Sequence, residues 1–358
     1  MRLSHYYAPS TVRALWVLLY ADDGKATAGG PRFELPLLNH LFLLEVLGTP
    51  MKWRKVRGGV QVEWVGYLID YARFEMGITE SRAKWCTTWL RDKVRERRVA
   101  LGELREGLGR LVFVSGPIEH IRPILGPLFA WASAGPRFVR PRLPTMLLIL
   151  MDFLASELAS SHMLGCREGS KERGELFRLD AKAEGSEVAI GGWLCAGGLA
   201  TRDAPWFALR LNRTNAAWAF ARGEPFRTIA SLELMAALIG VMVLLPEKDF
   251  ARSSDSTGLV SFSCGTDNQG NSFLVDKLMT TKYPLGIILV ELCHQLARRR
   301  AALRAQWVPR LENEEADALT NSDFRHFRAE SRLEVDPAAL PFGVLPRLLE
   351  QGELFVSE

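Results

Sequence analysis

The sequence predicts an α/β fold in which helices flank a mixed sheet, and three stretches carry that reading. Val260 to Gly270 (VSFSCGTDNQG) is an apolar, β-branched and aromatic run that stops at an acid and an amide, the pattern of a buried strand delivering Asp267 to its end. Glu175 to Leu194 places Asp180 at the end of one apolar strand, then a polar turn, then a second strand containing Gly191, Gly192 and Trp193. Thr228 to Leu245 reads as an apolar helix with Glu233 near its N-terminus, where the helix dipole favours an acid.

Downstream, Ala305 to Asn321 (AQWVPRLENEEADALTN) gives a strand, a loop and a helix start carrying Asp317. The acids thus follow in the order Asp, Glu, Asp, Asp. Taken singly, each also fits a helix cap or a solvated side chain. Together they supply hard oxygen ligands in the number that two divalent ions require. Two such ions, about 3.5–4 Å apart, can activate a water and stabilise a leaving oxyanion in phosphodiester hydrolysis.

With LDAK for the first strand, SLEL for the first helix, TDNQ for the fourth strand and NEEADAL for the last helix, the segment from Phe177 to Asn321 resembles a ribonuclease H domain. The resemblance implies a mixed five-stranded sheet, cleavage of the RNA strand of an RNA:DNA hybrid, and two Mg²⁺ ions with Mn²⁺ as a substitute. It assigns Asp180 to bridge both ions, Glu233 and Asp267 to complete the nucleophile side, and Asp317 to help hold the second ion. Two departures stand out. No histidine lies between Trp307 and Asp317, where many cellular members carry one, and Arg310 occupies that neighbourhood. Ile229, Ala230 and Ser231 precede Glu233 where cellular relatives have asparagines that contact the hybrid.

Near the front, Leu15 to Lys25 (LWVLLYADDGK) is an apolar run ending in Asp22 and Asp23, a hairpin pattern. YADD resembles the metal-binding turn of reverse transcriptases. An amphipathic helix over Phe33 to Leu47, a basic strand holding Lys52 and Lys55, a Gly58-Gly59 turn and a strand with Trp64, Gly66 and Tyr67 then resemble later palm motifs and the primer-grip hairpin. Ile78 to Trp89 and Leu104 to Trp131 resemble the thumb and following segment of gypsy-like and DIRS-type retrotransposons. Only about fourteen residues precede the YADD strand, so the fingers and early palm are not represented and no DNA synthesis is expected from this chain alone. A separate chain supplying them is an expected partner.

The domain plan that follows is a partial palm over 1–78, a thumb-like helical region over 79–140, a connection over 141–174, a ribonuclease H-like domain over 175–322 and a tail over 323–358. The polar CREGSKERG (166–174) is the best linker within it. At 358 residues the chain is long enough for two or three cores, and its net charge of +4 implies no single basic field. Positive charge is local, in RDKVRERR (Arg91 to Arg98) and LARRRAALR (Leu296 to Arg304), runs that also fit solvated helix faces. Five scattered cysteines without a C-x-x-C suggest neither a disulfide framework nor a zinc site. No secretory signal is visible, the apolar stretches Met146 to Leu154 and Leu234 to Leu245 read as core helices, and an intracellular location, cytoplasmic or nuclear and off the membrane, is expected. His294 reads as a packed side chain.

For substrate contacts, Asn268 and Gln269 follow the strand acid and are placed to reach sugar edges, since telling RNA from DNA requires reading the 2′-OH. Asn313 is placed to orient a nucleotide or the Asp317 helix; all three also fit helix caps. Arg298 and Arg299 offer sequence-independent phosphate attraction. The expected activity is that of a retroelement-derived ribonuclease H. The alternative is a catalytically silent nucleic-acid-binding remnant, or a subunit of a split reverse transcriptase.

Overall fold

The computed structural model describes residues 15–30, 32–160, 163–165, 171–196, 199–220, 223–247 and 259–356. The chain divides into two units, 1–72 and 73–358.

In the first unit, β1 (Leu15–Tyr20) and β2 (Asp23–Ala28) pair antiparallel with Tyr20 opposite Asp23. Asp22 therefore sits in the turn and Asp23 opens the second strand. Helix α1 (Glu34–Val46) forms where an amphipathic helix is expected, but none of its residues is buried and Phe42 is 71% exposed. Apolar residues surround it, so no single stripe can be turned inward within this unit. β3 (Gln61–Trp64) and β4 (Tyr67–Asp70) make a second hairpin, whose turn is Val65-Gly66, both at positive φ, and not the expected Gly58-Gly59. The expected basic strand is absent too: Trp53–Lys55 is a single 3-10 turn, with Lys52 just before it and Lys55 at its end both exposed.

The second unit begins with β5 (Glu75–Ile78), which pairs with β6 (Met163–Gly165), and four helices: α2 (Glu80–Glu96), α3 (Leu101–Val114), α4 (Arg122–Ser133) and α5 (Thr145–Ser160). Helical spacing of apolar residues dictates their packing. Ala83, Cys86 and Leu90 line one face of α2, and Leu101, Leu104, Leu108 and Leu111 one face of α3.

A five-stranded sheet follows, with order β11-β10-β7-β8-β9. Its strands are β7 (Lys171–Glu184), β8 (Glu187–Leu194), β9 (Trp206–Leu211), β10 (Val260–Thr266) and β11 (Ala301–Trp307). β7, β8 and β9 pair antiparallel, while β10 runs parallel to both neighbours. The sheet is therefore mixed and five-stranded. Residues 171–174, expected as linker, are the start of β7; the rest of that linker lies outside the described residues.

Helices α7 (Ile229–Leu244), α8 (Gln269–Lys277), α9 (Leu285–Arg298) and α10 (Glu314–Thr320) lie against the sheet, while α6 (Ala217–Phe220) precedes α7 and α11 (Leu345–Val356) packs on α5 and α9. The Gly191-Gly192 pair on β8 lets two of them close in from opposite faces, because successive strand residues point to opposite sides. A Cβ on Gly191 would come 2.9 Å from Leu319 Cβ of α10, and one on Gly192 would come 2.6 Å from Leu179 Cδ2, which also meets Gly240 of α7. The longer stretch Pro225–Leu244 could cross a bilayer by length and composition, and 78% of its apolar window is buried in the fold, as expected of the core helix read over Leu234 to Leu245.

Two carboxylates, one half-buried and one fully buried, tie α9 to its surroundings. Glu157 of α5 lies between His294 of α9 (Nδ1 to Oε1, 3.3 Å) and His120 (Nε2 to Oε2, 3.3 Å). Glu291 of α9, fully buried, accepts from the backbone N–H groups of Gly343, Val344 and Leu345 at 2.8–2.9 Å and from Gln295 Nε2 at 2.9 Å. It thereby satisfies donors at the start of α11 that the helix itself leaves unpaired.

Candidate active site

Strand register brings the first two acids together. Gly265 of β10 lies opposite Arg178 of β7 in a parallel pairing, so two residues further along each strand Asp267 and Asp180 come side by side at the end of β10. β7 itself continues to Glu184, so Asp180 is inside its strand and not at its end as the sequence suggested. Glu233 reaches the same point from α7. It sits in the second turn of that helix, past the first turn where the dipole acts most strongly.

Carboxylate oxygens of Asp180, Glu233 and Asp267 all lie within 4.8 Å of one another. Asp180 and Glu233 are buried and Asp267 half-buried. Burial pushes the Asp180 carboxyl up to about 6; Asp267 and Asp317 add to the rise, against a hydrogen bond from Thr320. Glu233 is raised well above the ordinary carboxylate range, first by burial and then by Asp180 and Asp267. Three carboxylates held this close destabilise one another, and a hard divalent cation is the group whose chemistry fits that donor set.

Neutral donors fix their orientation. Thr320 Oγ1 donates to Asp180 Oδ2 at 2.6 Å, and Thr266 Oγ1 donates to Glu233 Oε2 at 3.3 Å. Asn313, expected to touch a nucleotide or orient the Asp317 helix, is buried and donates to the Leu179 carbonyl at 2.9 Å, pinning the start of α10 beside Asp180. Asp317 stands apart from the close triad. Its Oδ1 accepts from Arg310 Nη2 at 2.7 Å and its Oδ2 from Asn321 Nδ2 at 2.8 Å, and Asn321 is in turn bonded by Lys182 at 3.0 Å.

Thr266, Thr320, Asn321 and Trp307 were not singled out by the sequence reading. Thr320 and Asn321 carried a usable signal, because three and four residues beyond Asp317 is one face of a helix. Trp307 is half exposed beside the site, its indole N–H donating to the Asp267 carbonyl at 3.1 Å. Asn268 is the N-cap of α8, its side chain accepting from Asn271 N at 3.1 Å, while Gln269 is exposed.

The basic residues are placed differently from expectation. Arg298 and Arg299 precede β11, whose first residue pairs with the first residue of β10, whereas the carboxylates lie past the last. Seven residues of strand put roughly 20 Å between them. Arg298 is paired with Glu247 at 2.9 Å. Arg299 is buried and donates to the carbonyls of Leu245 and Gln295 and to Gln295 Oε1 at 2.8–3.0 Å, so it cannot also meet a phosphate. Arg299→Ala is expected to destabilise the fold by about 2–3 kcal/mol through unmade bonds to buried acceptors, with no change in the salt dependence of nucleic-acid binding. Denaturant unfolding and a salt series check both halves. Lys52, Lys55, Asp22 and Asp23 lie in the first unit, all exposed. Among the described residues, Asp22 and Asp23 join no third acid, histidine or cysteine within ligand range.

No family model matches the chain, and no curated protein sequence matches it. Among solved structures, RNase H1 from the halophilic archaeon Halobacterium salinarum is similar to 43% of this chain over 97% of its own length, at 17% identity and a TM-score of 0.27.

Proposed function

We propose that the second unit is a metal-dependent nuclease that hydrolyses the RNA strand of RNA:DNA hybrids. The observation that carries this reading is the triad Asp180, Glu233 and Asp267, whose oxygens converge within 4.8 Å from two strands and a helix. The motifs LDAK, SLEL, TDNQ and NEEADAL supply the substrate class. Asp180, Glu233 and Asp267 would hold a divalent ion, and Asp317 would share a second. Such ions supply an activated water and charge compensation at the leaving oxygen. Thr320 and Thr266 hold two of the carboxylates in orientation, and Asn313 fixes the helix that carries Asp317. Burial of Asp180 and Glu233 excludes water from their outer sides, which strengthens their grip on a cation.

The YADD hairpin and the helices after it support descent from a retroelement reverse transcriptase. The exposed apolar residues of α1 favour a first unit completed by a separate chain, as in a split polymerase.

The test is cleavage of labelled duplexes by the purified chain with Mg²⁺. Cutting of the RNA strand of the hybrid, leaving 3′-hydroxyl and 5′-phosphate ends, with RNA duplex and DNA duplex intact, is the expected result. Binding of the hybrid with no cutting in either Mg²⁺ or Mn²⁺ would overturn it in favour of a silent binding protein.

A further inference from the structure

We infer that Arg310 is an internal counter-cation occupying the approach to Asp317, so that a second metal ion enters the site only when a nucleic-acid phosphate draws the guanidinium away. This rests on the proposed metal-dependent reading and deepens it.

Both oxygens of Asp317 are engaged without any metal, Oδ1 by Arg310 and Oδ2 by Asn321, at 2.7 and 2.8 Å. Arg310 also lies near enough to Asp180 and Asp267 to feel their charge. It is therefore a solvent-exposed positive group paired to the acid cluster through Asp317. A guanidinium and a divalent ion on the same carboxylate repel each other at short range, so an ion shared with Asp317 favours displacement of Arg310. An ion held by Asp180, Glu233 and Asp267 alone need not.

The backbone around Arg310 is anchored while its side chain is not. Val308 N donates to the Thr266 carbonyl at 2.9 Å, Asn313 is pinned to β7, and Arg178 Nη1 donates to the Glu312 carbonyl. The Arg310 side chain is 74% exposed against 31% for Asp317. A long side chain on a fixed, exposed turn can leave its partner at small cost. A phosphate is the natural competitor, because the planar fork that fits one carboxylate fits two phosphate oxygens equally. Nucleic acid would then do two things in one motion: take the arginine as a backbone contact and free Asp317 for the second ion.

The experiment is a calorimetric Mn²⁺ titration, without nucleic acid, of the full chain and of its Arg310→Ala and Arg310→Lys variants. The parent is expected to bind a single ion tightly. Arg310→Ala should bind a second at least about tenfold more tightly than the parent does, with Arg310→Lys between them. A hybrid whose RNA strand is made uncleavable by 2′-deoxy substitution should bring the second ion to the parent. Equal stoichiometry and affinity in parent and Arg310→Ala overturns the inference and leaves the metal reading standing. No Mn²⁺ binding by either overturns both. Melting curves confirm that the variants fold, as the exposure of Arg310 leads one to expect.

Discussion

Asp180→Asn loses at least about 10³-fold in hybrid cleavage, corresponding to some 4 kcal/mol of transition-state stabilisation, and at the same time makes the metal-free protein more stable. The two effects share one cause. The Asp180 carboxyl is raised to about 6 by burial and by the charges of Asp267 and Asp317. For an acid with a raised folded value the sign runs against stability. The cost is absent below the ordinary carboxylate range, grows as pH rises through about 6, and is fully present above it. Its ceiling is on the order of 3 kcal/mol at pH 8. The amide removes it and still accepts from Thr320. Denaturant unfolding in chelator should show Asp180→Asn gaining at pH 8 and matching the parent near pH 4. Added Mg²⁺ should close the gap by stabilising only the parent. A variant that is less stable at pH 8, or that still cuts, would refute the assignment.

Glu157→Gln produces the largest expected loss of stability. Burial would push the Glu157 carboxyl up, but the imidazoles of His120 and His294, each 3.3 Å away, bring it down to about 2. Here the sign is the opposite one. The stabilisation is fully present above the ordinary value of 4.5 and disappears as pH falls toward 2. That interval is worth about 3 kcal/mol. Glu157 joins α5, α9 and the turn at His120, so its loss loosens α9, which lies against β11. Urea unfolding at pH 6 should place Glu157→Gln well below the parent, and the difference should shrink toward zero by pH 2.5. A gap that stays constant with pH would mean that shape at this position matters and charge does not.

The four acids were legible because each stands in or beside an apolar run, although only Asp267 closes its strand while Asp180 lies inside β7 and Glu233 in the second turn of α7. The parallel register that puts Asp267 beside Asp180 was not, since nothing local says which strands will be neighbours. Arg298, Arg299 and Arg300 look alike in the sequence, yet one pairs with Glu247, one is buried against carbonyls and one pairs with Glu75 at 2.8 Å. Their different directions follow from where α9 stops, a boundary the apolar pattern leaves open by two residues. The glycine pair at 58–59 was the louder turn signal, but strand pairing selected Val65-Gly66. The Arg310–Asp317 contact was hidden for another reason: it joins a loop to a helix across seven residues and depends on how Asn313 is pinned.

Glu291 has a bearing on how the protein is made. Its three backbone donors come from residues 52–54 positions later in the chain. Until those amides arrive, sealing α9 against the sheet would strand a carboxylate in apolar surroundings at a cost of several kcal/mol. During synthesis α9 must therefore keep that side wet while β11 and α10 are already being laid down. Closure of this layer is expected to wait for the segment at Gly343, whose amides pair with the Glu291 carboxyl.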